Sequence, residues 1–344
     1  MTGPDYRRIG IGTIEQGVNQ AVENCLKVQP GEKALIITDL QTMEIGSALK
    51  AAIERITGEV EFFVMEDFGT RPIDIPPVIV DAIHSVDVSV FAAQGADGEI
   101  QTFRMPMLKL IANTAVRHAH MIGITSQIMC DGMCSDYKEI QRISRLVYEK
   151  VKDAENIEVT TEKGCNFTAC FSPYLKWAIE DGDIKPGRPR NLPDGEVATC
   201  PIDVNGTAVI DGCLGDIFAE KYGYLGDTPV SVEIQNGRAM RESIKCADEQ
   251  LREKFTDYLF ENEENSNRIG EFAIGTNTGL SRLVYNILQD EKFPGVHIAF
   301  GQPSSPSETG ADWECSTHLD GVINSPTIIA DDATIMENGQ FRLE

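Results

Sequence analysis

The chain has 344 residues, 42% of them hydrophobic, and a formal net charge of -24. This is enough for two domains of ordinary size with a sizeable core, and the acidic balance disfavours nucleic acid and anionic membrane surfaces as partners. No apolar run approaches the ~20 residues of a membrane span, and Met1-Thr2-Gly3-Pro4-Asp5 lacks the basic and apolar regions of a signal peptide.

The first half alternates between strand-like and helix-like periods. Ala34 to Asp39 reads as a buried strand and Glu44 to Ile56 as a helix. Glu59 to Val64 is a second strand, Pro77 to Ser85 a proline-opened helix, and Val88 to Ala93 a third strand. A helix over Met105 to His118, a strand over Met121 to Thr125 and a long amphipathic helix over Ser135 to Asp153 follow. This order predicts an α/β domain with a parallel sheet over residues 1–155. From residue 156 short strands and turns dominate. Ile157 to Thr161 and Asn166 to Phe171 read as strands, and Ser231 to Gln235 runs into the hairpin turn Asn236-Gly237. A second such turn, Asn338-Gly339, lies near the end. Helices are expected over Asp248 to Glu261 and Leu280 to Gln289. Residues 156–344 are therefore expected to form an α+β domain rich in antiparallel strands, with the boundary between Asp153 and Glu158.

Three C-terminal segments carry ionisable groups on otherwise apolar strands. In Cys315 to Ile323, His318 and Asp320 are two apart, so they share one face of a strand while Leu319 turns away. Gly295 to Gly301 carries His297 against Val296, Ile298 and Phe300. Gly270 to Gly275 carries Glu271 against Phe272 and Ile274. A charge on a buried strand is costly unless it is paired or bound to a metal. Glu196, where the turn Asn191 to Gly195 enters a strand, is a fifth candidate. Three carboxylates and two imidazoles suit Zn²⁺, Co²⁺ or Mn²⁺, and can hold two ions if one carboxylate bridges. Two His with one carboxylate equally describe a mononuclear Fe(II) site, and buried hydrogen-bonded side chains are the plain alternative.

Other motifs carry less. His118 and His120 with Cys130 and Cys134 are the right types for structural zinc. The plainer reading ends a helix at His118 and makes the cysteines small apolar fillers. The odd number of cysteines, nine, points to reduced thiols and a cytoplasmic location. No glycine-rich nucleotide fingerprint and no Gly-x-Ser-x-Gly elbow is present.

Asn191 to Val197, Gly270-Glu271 with Ile274 to Asn277, Asp290-Glu291-Lys292 before Gly295 to Gly301, and His318-Leu319-Asp320 occur in the order of a known family. Over residues 191–320 the chain resembles the thermophilic metalloproteases, aminopeptidases T and S. The resemblance implies a homodimer that removes N-terminal residues from peptides or cleaves related small amides. It implies a dinuclear zinc or cobalt centre in the second domain, with metal ligands at Glu196, Glu271, His297, His318 and Asp320. Glu196 or Glu271 is then the candidate catalytic base. One position departs: Ser304 stands where the family has an active-site tyrosine. Expectations from this departure are a slow peptidase or a smaller substrate, or a phenol supplied instead by Tyr222, Tyr224 or Tyr285. The chain also resembles the 2,5-dihydroxypyridine dioxygenases, which share His-Leu-Asp but hold one iron. Those enzymes carry His where this chain has Glu271 and lack a Glu at position 196. The alternatives are thus an Fe(II) ring-cleaving dioxygenase or a non-catalytic protein on a degenerate peptidase fold.

Overall fold

A computed structural model describes residues 12–343; Met1 to Asp5, where no leader was expected, lies outside the described residues. The chain forms two compact units. One extends to Lys138 and includes Gly182–Asp194; the other holds Glu139–Asp181 and Gly195 onward.

The first unit contains β1 (Lys33–Thr38), β2 (Glu59–Val64), β3 (Val88–Ala93) and β4 (Arg117–Ile122). They are parallel, in the order β2-β1-β3-β4. Helices Met43–Glu54, Pro77–Ile83 and Met105–Ala112 connect them. β1 and β3 are buried almost throughout, as expected for strands covered on both faces. The fourth strand starts earlier than its sequence pattern indicated. The helix expected to run to His118 stops at Ala112, and His118 lies inside β4. Both β4 histidines are buried: His118 Nδ1 meets Ser89 Oγ at 2.8 Å and its Nε2 meets His120 Nδ1 at 3.4 Å. None of the metal-competent groups among the described residues includes His118, His120, Cys130 or Cys134.

The second unit begins at Glu139 within the helix Tyr137–Val151, whose Ile143, Val147 and Val151 join its core. Its apolar face packs on the later strands, so residues from Glu139 on group with them. β5 (Asn156–Thr160), β6 (Asn166–Cys170) and β7 (Ala178–Glu180) follow. The excursion through the first unit then adds β8 (Arg190–Asn191) beside β4. The remaining strands are β9 (Glu196–Thr199), β10 (Asp203–Ile210), β11 (Val230–Gln235), β12 (Arg238–Ala239), β13 (Ile269–Gly275), β14 (Gly295–Gly301), β15 (His318–Ile323), β16 (Thr327–Ala330), β17 (Ala333–Glu337) and β18 (Gln340–Phe341). They build two antiparallel sheets, β12-β11-β10-β6-β5-β16-β17-β18 and β15-β14-β13-β9-β7. The expected pairing of a parallel α/β part with an antiparallel-rich α+β part is what the chain forms. Both Asn-Gly turns close hairpins, with Asn236, Gly237, Asn338 and Gly339 all at positive φ, the backbone these two residue types tolerate best.

The sheets share one core. Phe272 of β13 packs edge-on against Phe167 of β6 at 6.4 Å between ring centres and against Phe171 at 5.4 Å. The helix Glu249–Phe260, capped by Asp248, contributes Phe255, 5.8 Å from Phe300 of β14. The helix expected over Leu280 to Gln289 is reduced to Ile287–Asp290. The Asp290 carboxylate accepts the Val284 and Tyr285 amides at 2.8 Å, and Tyr285 sits at φ 63°, which an extended helix cannot accommodate. No helix among the described residues is long and apolar enough to cross a membrane.

Burial pushes the His118 imidazole down to about 3, and burial together with His118 and Arg104 pushes His120 well below its ordinary range. Both stay neutral in the fold and charge only on unfolding. Their contribution is therefore complete above the unfolded pKa of about 6.5 and is lost as pH falls through it. Each should cost about 1.4 kcal/mol of stability between about pH 7.5 and about pH 5.5. Denaturant unfolding of His118→Gln should show a correspondingly shallower pH slope than wild type; an equal slope would contradict this origin.

Candidate metal centre

The strand β13 alternates with a period of two. Phe272 and Ile274 enter the core, so Glu271 and Ala273 take the opposite face of the sheet. The neighbouring strands repeat this. Val296, Ile298 and Phe300 of β14, Leu319 and Ile323 of β15, and Val197 of β9 face the core. That leaves His297, His318, Asp320 and Glu196 on the same face as Glu271. Register brings them together. Glu271 is opposite Ala299, which is opposite Asp320; His297 is opposite Ala273; His318 is opposite Gly301; Glu196 is opposite Gly275. The intervening residues are Ala or Gly, which leaves room for the long side chains to converge. A bulge between Ile269 and Glu271 interrupts the β13–β14 ladder immediately beside Glu271, a device that re-aims a side chain.

All five residues named from the sequence converge. His297 Nε2 is 3.6 Å from Glu196 Oε2, 3.7 Å from Glu271 Oε1 and 4.0 Å from Asp320 Oδ1. His318 Nε2 is 3.5 Å from Glu271 Oε2 and 3.2 Å from Asp320 Oδ1. The two oxygens of Glu271 thus face different imidazoles. The His297 side chain is 2% exposed and the His318 side chain 38%, so the cluster opens toward solvent at His318.

The structure adds two residues that pattern reading did not assign. Glu291 forms a group with His297 and Asp320, their ligand atoms lying within 4.8 Å of one another. Lys292, 1% exposed, places Nζ 2.7 Å from Glu196 Oε1 and 2.8 Å from Glu291 Oε1. The signal was present as three consecutive charges, Asp290-Glu291-Lys292, just before a fully buried strand. Buried charges of this kind are tolerated only with partners.

The donor chemistry fits a divalent cation. His297 Nδ1 donates to the Glu291 carbonyl at 3.1 Å, and His318 Nδ1 donates to the Gln302 carbonyl at 3.0 Å. Both carbonyls can only accept, so each ring carries a proton on Nδ1 and turns Nε2 toward the carboxylates. Metal-bound histidines are oriented by this kind of backbone contact. Glu196 Oε2 is buried with no hydrogen-bond partner among the described residues.

The metal-free electrostatics express the same crowding. Burial raises Glu291 to about 8, helped by Asp320 and Glu196 and opposed by Lys292. Burial also raises Glu196, against Lys292 and His297. Burial alone would lower both site histidines, but the surrounding carboxylates outweigh it. His297 rises to about 9 through Glu271, Glu196 and Asp320, and His318 rises through Asp320 and Glu271. Asp320 falls to about 2 because the His318 and His297 charges overcome its desolvation.

Ser304 is buried in the loop after β14. Its amide donates to the Gly270 carbonyl at 3.1 Å, and its carbonyl accepts Thr309 Oγ1 at 2.8 Å. Of the tyrosines considered as substitutes, Tyr224 and Tyr285 stack on each other at 5.9 Å and Tyr222 stacks on Phe218 at 6.4 Å. A fourth, Tyr258, reaches the site strand and donates to the His318 carbonyl at 3.3 Å.

The family model for the thermophilic metalloproteases (M29) matches residues 137–341, more than half of the chain. The chain belongs to the thermophilic metalloprotease (M29) family. It is a metallopeptidase-type enzyme, and the metal that its family implies is divalent. Two solved structures share the fold of this M29 chain. The 2,5-dihydroxypyridine dioxygenase from Pseudomonas putida KT2440 is 17% identical, with a TM-score of 0.70 over 96% of each chain. AmpT from Thermus thermophilus is 16% identical, with a TM-score of 0.66 over 95% of this chain and 98% of its own. No curated protein matches the sequence.

Gly275 allows close packing beside the cluster. A Cβ on Gly275 would lie 2.0 Å from the Phe293 carbonyl oxygen, so the turn that carries Lys292 rests directly on β13. Gly275→Ala should cost roughly 1–3 kcal/mol by overpacking and displace that turn. Gly95→Ala, with its nearest neighbour 4.0 Å away, should be close to neutral. Equal denaturation midpoints for the two variants would contradict this.

Proposed function

We propose that this enzyme is an aminopeptidase with a dinuclear centre, acting on short peptides or related small amides. The observation that carries this reading is the position of Glu271, with one oxygen toward His297 and the other toward His318. Glu196, Glu271 and His297 would hold one ion; Glu271, His318 and Asp320 would hold the second. Glu271 is the shared donor. The family favours zinc or cobalt, and the donor set of imidazole and carboxylate suits both. Two such ions, when bound, polarise the scissile carbonyl and lower the pKa of a water.

The side chains supply the rest. Glu196 and Glu271, the bases expected from the resemblance, serve as donors with Asp320 in this reading, and the water's proton is placed on Glu291, which groups with His297 and Asp320. Glu291 Oε1 lies 2.8 Å from Lys292 Nζ, which holds the carboxylate beside the proposed donors. His318 stands at the open rim, where a substrate enters. Ser304 in place of a tyrosine leaves a short hydroxyl beside β13 and favours a small substrate. The presence of Glu196 and Glu271 argues for this reading over the mononuclear-iron one. A homodimer and a cytoplasmic location are part of the same proposal, supported by the family resemblance and by the reduced thiols.

Unblocked aminoacyl amides should be cleaved with Zn²⁺ or Co²⁺ present, while N-blocked ones should not. Cleavage of a dihydroxylated ring with Fe²⁺ and dioxygen, and no amide turnover, would overturn the assignment. In calorimetric titration Glu271→Gln should weaken both metal equivalents, and His318→Ala only one. Glu291→Gln should keep both ions and lose roughly 10²–10⁴-fold in kcat.

A further inference from the structure

We infer that Lys292 is a positioning residue that makes Glu196 a one-oxygen metal donor and so sets the affinity of one metal position without affecting the other. The inference rests on the dinuclear reading above. Lys292 is the lysine that pairs with the described cluster, and its Nζ spans Glu196 Oε1 and Glu291 Oε1 at 2.7 and 2.8 Å. Its backbone is held as firmly: its carbonyl accepts the Asn277 amide at 3.0 Å and its amide donates to the Gln289 carbonyl at 3.0 Å. The ammonium is therefore fixed from both ends of the side chain.

The consequence falls on Glu196. With Oε1 held by Lys292, only Oε2 is turned toward His297, at 3.6 Å, and that oxygen has no hydrogen-bond partner among the described residues. The adjacent residue completes the clamp. The Glu291 carbonyl orients His297 through Nδ1. Residues 291 and 292 thus orient two of the three donors of one position. The other position, Glu271 with His318 and Asp320, contains neither of the carboxylates that Lys292 holds. The ammonium also supplies a charge between Glu196 and Glu291 where a further cation would otherwise be drawn. A side chain acting only on fold stability would affect both positions alike.

Calorimetric titration of chelator-treated protein with Zn²⁺ alone tests this. Lys292→Met should weaken one equivalent by roughly 10- to 100-fold, the range for groups that orient metal ligands, and leave the second at its wild-type affinity. Glu196→Gln should weaken the same equivalent. Lys292→Met with wild-type affinity at both equivalents, or with both weakened equally in a folded protein, would overturn the inference. Where the single variant does not fold, Lys292→Met combined with Glu291→Gln removes the lysine and one carboxylate charge together, and the same selective loss is expected. A wild type that takes up a single ion would refute the dinuclear reading instead. The Lys292 inference would then hold if Lys292→Met and Glu196→Gln both weaken that ion, and fail if Lys292→Met does not.

Discussion

Four carboxylates brought to one face of an antiparallel sheet are the constraint from which the rest of the second unit follows. Glu196, Glu271, Glu291 and Asp320 lie together in a buried site, and carboxylates so placed are tolerated only with partners among them. In the metal-free protein Lys292 and the two imidazoles are those partners, which is why both histidines are pushed up. Bound divalent ions would take over the role of the imidazole protons. In the proposed dinuclear site, metal binding would release those protons.

Holding such a cluster needs a rigid scaffold, and its core side supplies one. The residues that alternate with the ligands, Phe272, Ile274, Val296, Ile298, Phe300 and Leu319, are among the most buried in the chain. Each candidate ligand on these strands is therefore backed by neighbours that fix its strand. Small residues on the site face, Ala273, Ala299 and Gly301, keep the space open. The same fold appears in a dioxygenase and in AmpT at low identity. The scaffold alone does not select the chemistry.

Much of this was legible in the residues themselves. Alternation of period two placed His297, His318, Asp320 and Glu271 on strands with the right facing, because a buried strand tolerates a charge only on its functional face. The two Asn-Gly turns were legible because their backbone conformation admits few other residues. Helix ends were less so. Tyr285 breaks an expected helix through contacts from Asp290 five residues later, and β4 begins inside what reads as helical sequence. In both cases tertiary contacts override a local pattern.

What the sequence determined by itself was the two-part architecture, the identity of five converging side chains and their order along the chain. Those follow from periodicity and residue type, which are local properties. The tertiary structure alone decided that Glu271 turns its two oxygens to different histidines, that Glu291 completes the cluster and that Lys292 closes on Glu196. Strand register and side-chain reach across a sheet bring together residues nearly a hundred positions apart, and no local pattern encodes that distance.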